Sequence, residues 1–177
     1  MMMVSLGIGT VVAVTLIVVV SVLTGGHVTN GPSQPTNQLV GKHVASFSLP
    51  GLKGGTIVAP WKSGHAAVLI FFASWCGPCK AEMPKVAAYL RSHNEGSIRV
   101  IGMDSHDPRG PGTAFVKKSG VAFPVAYDPN LTVASLFNLV AIPDTAFVNA
   151  KGVITQIYIG AIPKSQLVKG LATLRAS

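Results

Sequence analysis

Cys76 and Cys79 are the only two cysteines in the chain, and they stand in the run Trp-Cys-Gly-Pro-Cys-Lys. A pair this close in sequence cannot serve as the disulfide framework that staples small secreted domains. Flanked by Trp, and with Gly-Pro inside it, the pair is typical of thiol-disulfide exchange chemistry. We therefore predict that Cys76 and Cys79 are the catalytic residues.

The two cysteines are expected to have different roles. In a Cys-x-x-Cys motif that opens a helix, the first sulfur lies at the helix N-terminus, where unpaired N–H groups and the helix dipole favour the thiolate. This predicts that Cys76 is the nucleophile and that Cys79, one turn later, resolves a mixed disulfide on Cys76. Gly77 allows close backbone approach, and Pro78 lacks only an N–H that would have no helical partner. With Trp75, these two residues are predicted to support the site.

A zinc site is the other common use of this cysteine spacing, but a structural zinc needs four ligands and the chain has no second cysteine pair. The histidines His65, His93 and His106 have no ligand-like spacing to one another and are interpreted as surface or loop residues. We predict no metal and no cofactor. A non-enzymatic module that carries copper or another soft metal stays an alternative, because two thiolates suit such ions.

The segments around the motif predict where it lies in the fold. Residues 68–72 form a continuous apolar run of strand length, as expected of a central strand buried on both faces. After the motif, apolar residues recur at helical spacing up to residue 95, although Pro84 is expected to kink that helix. The motif is therefore placed at the carboxyl end of a strand.

The rest of the domain alternates strands and helices, which predicts an α/β fold with a mixed central sheet flanked by helices and an N-terminal β-hairpin. Further strands are predicted at residues 47–49, 56–58, 98–103 and 123–127, helices at 113–119 and 131–137, a hairpin at 145–148 and 153–159, and a closing helix marked by Leu167, Leu171 and Leu174.

The N-terminal part differs in composition. Residues 4–23 are apolar, no charged side chain precedes Lys42, and a helix over this run would be roughly 30 Å long, about the thickness of a bilayer core. We interpret residues 1–23 as a transmembrane anchor, with a signal peptide as the alternative, because the run is long and lacks a basic start. Residues 24–41 are interpreted as a flexible linker and 42–177 as one domain.

The formal net charge is +8, but the basic residues are spread singly from Lys42 to Arg175, and Lys117-Lys118 is the only adjacent pair. This distribution indicates a solvated basic surface near anionic lipid headgroups rather than a nucleic-acid site. No nucleic-acid partner is predicted.

Three stretches together resemble a known family: Phe-Ser-Leu-Pro at residues 47–50, the run from Phe71 through the motif to Pro84, and Val-Ala-Phe-Pro-Val at 121–125 followed by Asp128. The chain resembles thioredoxin-fold proteins, specifically the membrane-anchored TlpA/ResA/CcmG group of extracytoplasmic thiol-disulfide oxidoreductases, over residues 41–175. Residues 104–138 are similar to the helix-containing central insertion of that group.

The resemblance implies further site residues. Ile142-Pro143 is similar to the family's cis-proline loop, which faces the active cysteine and offers the backbone of residue 142 to a substrate. Glu82 matches a glutamate that tunes thiol ionisation in ResA-like members, and a solvated first-turn Glu is the alternative. Two departures are Ile70, where thioredoxins have a buried aspartate, and Asp144, where the group has a small hydroxyl residue.

The resemblance also implies a function. We expect a reductase that exchanges disulfides with exported proteins, including c-type apocytochromes, and that draws electrons from a membrane donor, because the outside is oxidising. The predicted location is the cell membrane, with the catalytic domain outside, or secreted if the N-terminal segment is cleaved. A disulfide-forming oxidant is the nearest alternative, and a thioredoxin-like peroxidase is disfavoured.

Overall fold

The fold is described from a computed structural model, and the structure describes residues 38–177. The predicted anchor at residues 1–23 and most of the predicted linker lie outside the described residues. Within residues 38–177, none of the helices combines the length and the apolar character needed to cross a bilayer.

Seven strands and four α-helices follow one another in the described part of the chain, with a short 3-10 helix at Pro60–Ser63 that the sequence did not predict. In chain order they are β1 (Ser48–Pro50), β2 (Thr56–Val58), β3 (Ala67–Phe72), α1 (Gly77–Ser92), β4 (Arg99–Ser105), α2 (Arg109–Lys118), β5 (Val125–Asp128), α3 (Thr132–Leu136), β6 (Asp144–Val148), β7 (Ile154–Ile159) and α4 (Lys164–Arg175).

The main sheet has five strands in the order β5-β4-β3-β6-β7, and β1 and β2 form a separate hairpin. Strand β3 pairs in parallel with β4 and antiparallel with β6, and β7 extends the sheet beyond β6 as the second arm of a hairpin. This is the predicted mixed sheet, and the fold is thioredoxin-like. Between β4 and β6 the chain adds α2, β5 and α3, in the region predicted as the central insertion.

Strand β3 is buried along its whole length, because its side chains alternate between two hydrophobic clusters on opposite faces of the sheet. Val68, Ile70 and Phe72 pack with residues of α1, α2 and α4, whereas the alternate side chains pack with α3 and with the chain around the hairpin. Ile70, which replaces the buried aspartate of thioredoxins, is therefore an ordinary core residue.

Both α1 and α2 contain a proline. Helix α1 runs from the motif to Ser92 with Pro84 inside it. Helix α2 begins at Arg109 and not at residue 113, so the predicted start was wrong. The tract Gly-Pro-Gly reads as a loop, yet Pro111 lies in the first turn, where backbone N–H groups have no helical partner and proline costs no hydrogen bond.

The packing of α4 on the sheet predicts an unusual response to alanine. A methyl group at Gly170 would collide with the ring of the buried Phe147, although glycine in a helix interior is normally less stable than alanine by about 1 kcal/mol. Gly170→Ala should therefore lower the free energy of unfolding by about 1–3 kcal/mol, measured by urea denaturation.

Gly110 in α2 is the control, because no atom outside its chain neighbours and its own helix backbone lies within 4 Å of the position a methyl group would take there. Gly110→Ala should lower stability less than Gly170→Ala does, since the strain expected there is only that of a non-glycine residue before Pro111. A Gly170→Ala variant as stable as Gly110→Ala would contradict the packing described here.

Candidate active site

The two cysteines lie at the junction between the end of β3 and the start of α1. They form a disulfide with a Cα–Cα distance of 5.3 Å, at the end of the buried strand and the start of the helix. The predicted strand–motif–helix arrangement is confirmed.

Cys76 is the N-cap residue of α1, and the backbone N–H of Cys79 donates to its Sγ atom over 3.2 Å. Cys76 is 4% exposed and Cys79 is fully buried, so Cys76 is the more accessible of the two cysteines. After reduction, the same N–H group and the helix dipole would favour a thiolate at Cys76. At Gly77 a methyl group would meet no atom within 4 Å from other parts of the described chain, so the space beside this residue is open.

The loop before β6 faces the disulfide. The Ile142–Pro143 peptide bond is cis, as the resemblance implied, and the carbonyl oxygen of Ile142 lies 3.7 Å from Cys76 Sγ. Two segments distant in sequence thus meet at the reactive sulfur.

Trp75 is 56% exposed, and its indole Nε1–H donates to the carbonyl oxygen of His106 over 2.9 Å. Beside it lies a groove of about 360 Å³ with mostly apolar walls. Its lining includes Trp75, His106, Leu131, Leu139, Val140 and Ile142. The Val140 side chain is fully exposed at the groove.

Glu82 is 5% exposed, so the solvated alternative for this residue is wrong. Its Oε1 atom accepts the N–H of Ile162 over 3.0 Å, and its Oε2 atom is buried without a hydrogen-bond partner. Burial, and to a lesser degree the charge of Asp144, raises the pKa of Glu82 to about 7, although the hydrogen bond from Ile162 opposes this. Glu82 also lines a cavity of about 480 Å³ between α1 and the start of α4.

Asp144 is buried, and its Oδ1 atom accepts the N–H of Gly160 over 2.8 Å. Burial raises the pKa of this carboxyl group to about 6, against the opposing effect of that hydrogen bond. Gly160 and Ile162 belong to one loop between β7 and α4. That loop therefore holds both carboxyl groups.

Two further acids, Asp104 and Asp107, lie near the motif and were not predicted as site residues. Both Asp107 oxygens accept hydrogen bonds from Ser74, and Asp104 is fully buried. The available signal was their place at the end of a predicted strand parallel to the motif strand, since the carboxyl ends of parallel strands meet at one edge of a sheet.

The raised pKa of Glu82 makes stability depend on pH. The folded protein binds an extra proton between pH 4.5 and about 7, so this residue lowers stability as the pH rises through that window. In Glu82→Gln that loss should be absent. The difference in the free energy of unfolding between pH 4 and pH 8 should therefore change by on the order of 3 kcal/mol relative to wild type. The measurement is urea unfolding of the oxidised protein across this range.

Asp144→Asn is the matched control. It should flatten the stability profile in a lower window, from pH 3.8 to about 6. Profiles of wild type and Glu82→Gln that stay parallel would show that Glu82 titrates normally.

The comparisons with known proteins agree with this geometry. The model of the AhpC/TSA family matches residues 40–157. The thiol-disulfide oxidoreductase ResA of Halalkalibacterium halodurans is 25% identical over 127 residues, which cover 72% of this chain and 72% of the relative. The sporulation thiol-disulfide oxidoreductase A of Bacillus subtilis is 28% identical over 126 residues, covering 70% and 76% respectively.

Solved structures show the same fold. The structure of MTB dsbF in its mixed oxidized and reduced forms has a TM-score of 0.66 at 28% identity and covers 72% of this chain and 94% of that chain. StoA from Bacillus subtilis has a TM-score of 0.64 at 26% identity, with coverage of 71% and 96%. Since the family match spans more than half of the chain, the protein belongs to the AhpC/TSA family, and it is a thiol-disulfide oxidoreductase with a thioredoxin-like fold similar to that of StoA.

Proposed function

We propose that this protein reduces disulfides of exported proteins outside the cytoplasm, with Cys76 and Cys79 as its catalytic pair. The observation that carries the proposal is the Cys76–Cys79 disulfide at the start of α1, where the more accessible sulfur faces the carbonyl oxygen of Ile142. A sulfur placed between a helix N-terminus and the backbone of the cis-proline loop suits exchange with an extended polypeptide.

The reaction starts from the reduced dithiol. The Cys76 thiolate attacks one sulfur of the substrate disulfide, which forms a mixed disulfide and releases the other substrate sulfur as a thiolate. The Cys79 thiolate then attacks Cys76 Sγ and releases the second substrate sulfur. Two electrons have moved to the substrate, its two thiolates take up protons, and the enzyme is left with the Cys76–Cys79 disulfide.

Glu82 is proposed to receive the proton that Cys79 must lose before it attacks. Glu82 lies three residues after Cys79 on the same helix, so the two side chains share one helix face. A pKa of about 7 suits an acid that exchanges protons near neutral pH, and the unpartnered Oε2 atom is free to accept one.

The substrate is proposed to lie along the cis-proline loop. The backbone of Ile142 supplies hydrogen bonds to an extended segment, as in β-strand addition. The groove beside Trp75 and Val140 is mostly apolar, so it favours substrates with apolar side chains next to the reactive cysteine.

The direction of electron flow and the location are supported by the sequence. The Gly-Pro dipeptide resembles that of reducing thioredoxins, and the resembling group commonly serves c-type apocytochromes. We propose that residues 1–23 anchor the chain in the membrane, residues 24–41 form the linker and residues 42–177 form the domain that works outside. A membrane donor then re-reduces the disulfide, because the outside is oxidising.

The reduction potential tests the direction. Equilibration of the full chain with glutathione should give a value near that of thioredoxin, about −270 mV. A value near −120 mV, as in strong oxidants, would contradict the reductase role and favour disulfide formation.

Substitution of each cysteine tests the roles. Cys79→Ala should accumulate mixed disulfides with exported proteins, because Cys76 attacks and nothing resolves the product. Cys76→Ala should trap none, and both variants should lose multiple turnover. The adducts are measured by non-reducing electrophoresis and identified by mass spectrometry. Equal trapping by both variants would reverse or remove the assignment.

A further inference from the structure

The turn before Cys76 is held by hydrogen bonds to one buried carboxylate, that of Asp107. Asp107 accepts the backbone N–H of Ser74 at Oδ2 over 2.5 Å and the Ser74 hydroxyl at Oδ1 over 2.8 Å. Ser74 stands two residues before Cys76. Both oxygens of Asp107 therefore act on the approach to the reactive sulfur.

The neighbouring residue is attached to the same loop. The Trp75 indole donates to the carbonyl oxygen of His106, so residues 74 and 75 are both held by residues 106 and 107. This loop follows β4, which pairs in parallel with β3. Three hydrogen bonds thus connect the ends of two neighbouring strands immediately before the catalytic cysteine.

A second acid lies buried at the end of β4. Asp104 is fully buried, and neither of its carboxyl oxygens accepts a hydrogen bond, so only its own proton could form one, with Asp107 as the acceptor. A methyl group at Gly112 in α2 would collide with this carboxyl group, so the helix packs directly on it. An ionised carboxylate without partners is costly in such a place, and the group lowers that cost by keeping its proton.

Three effects favour the neutral form of Asp104. Burial comes first, the charge of Asp107 second and a side-chain hydrogen bond with Asp107 third, and together they raise the pKa of Asp104 to about 8, although Arg109 opposes the rise. When Asp104 is neutral, the Asp107 carboxylate has no second buried negative charge beside it to repel it.

The elements packed around Asp104 and Asp107 supply little positive charge to balance these two acids. Arg109, in the first turn of α2, donates to the carbonyl oxygens of Gly51 and Leu52 and lies over the ring of Tyr127, 4.2 Å from its centroid. Tyr127 of β5 is the register partner of Asp104, and on β3 that partner is the apolar Phe72. In the loop between β4 and α2, the titratable side chain other than Asp107 is that of His106.

We propose that Asp107 is a positioning residue for Cys76: its carboxylate fixes the Ser74 turn in the conformation from which Cys76 attacks, and the proton on Asp104 keeps that carboxylate bound to the turn. The inference rests on the proposed role of Cys76 as the attacking residue. Since Asp104 ionises as the pH rises through about 8, the contact is complete below that pH and weakened above it.

The test measures the reaction of the reduced full chain, in detergent, with the disulfide probe 5,5′-dithiobis(2-nitrobenzoate). The rate is divided by the thiolate fraction, obtained from absorbance at 240 nm, so that it reports position and not ionisation. Asp107→Asn replaces a charged acceptor and should lower this rate about tenfold at pH 7. Ser74→Ala removes only the hydroxyl bond and should give a smaller fall, and it remains informative if Asp107→Asn does not fold.

Asp104→Asn imitates the neutral acid. It should keep the wild-type rate per thiolate at pH 7 and lose the decline that wild type shows between pH 7 and 9. Asp128→Asn is the matched control, because Asp128 is also a buried carboxylate and accepts three backbone N–H groups at the start of α3. It should lower the melting temperature and leave the rate per thiolate and its pH profile unchanged.

Different outcomes separate this inference from the proposed function. Wild-type rates per thiolate in both Asp107→Asn and Ser74→Ala, or equal losses in Asp128→Asn, would overturn the positioning role. A wild-type decline above pH 7 that persists in Asp104→Asn would overturn the role of the Asp104 proton. A fast reaction that survives in Cys76→Ala would instead remove the assignment of the attacking cysteine.

Discussion

The pairing of β3 with two neighbours of opposite direction is the constraint on which the site depends. Parallel pairing with β4 places the ends of both strands at one edge of the sheet, and antiparallel pairing with β6 places the start of β6 at that same edge. Phe71 lies opposite Asp144 in this register, so Pro143 is brought next to the turn that carries Cys76. A shift of one residue would turn the core side chains of β3 to the wrong face. The core therefore also fixes the geometry of the disulfide.

This edge of the sheet holds several acids away from water. Burial is the largest cause of the raised pKa at Glu82, Asp104 and Asp144, and their values of about 7, 8 and 6 fall near neutrality. Thiol-disulfide exchange moves protons whenever thiols form or ionise, and acids with a pKa near the working pH exchange protons best. Burial thus shifts the titration of these three acids from the range of exposed carboxyl groups towards neutral pH.

The parts of the site that the sequence predicted are local. The strand before Cys76 and the helix after it follow from apolar patterns within a few residues, and the Pro143 loop followed from the family resemblance. The Ser74–Asp107 contact spans 33 positions, and the Glu82–Ile162 contact spans 80. Periodicity in the sequence cannot predict such pairs, because the contacts depend on the sheet register and on the position of the loop after β7. The burial of Glu82, which depends on these long-range contacts, is what decides between its two alternatives.

The same long-range contact explains why Asp144 has consequences beyond its own position. The loop between β7 and α4 gives the N–H of Gly160 to Asp144 and the N–H of Ile162 to Glu82, so one short segment holds two acids from different elements. The charge of Asp144 also raises the pKa of Glu82. When Asp144 loses its proton, its charge favours the protonated form of Glu82. A small hydroxyl residue at this position would remove that charge. The carboxyl group next to the cis-proline loop therefore contributes to the raised pKa of an acid that lies three residues after Cys79 on the same helix.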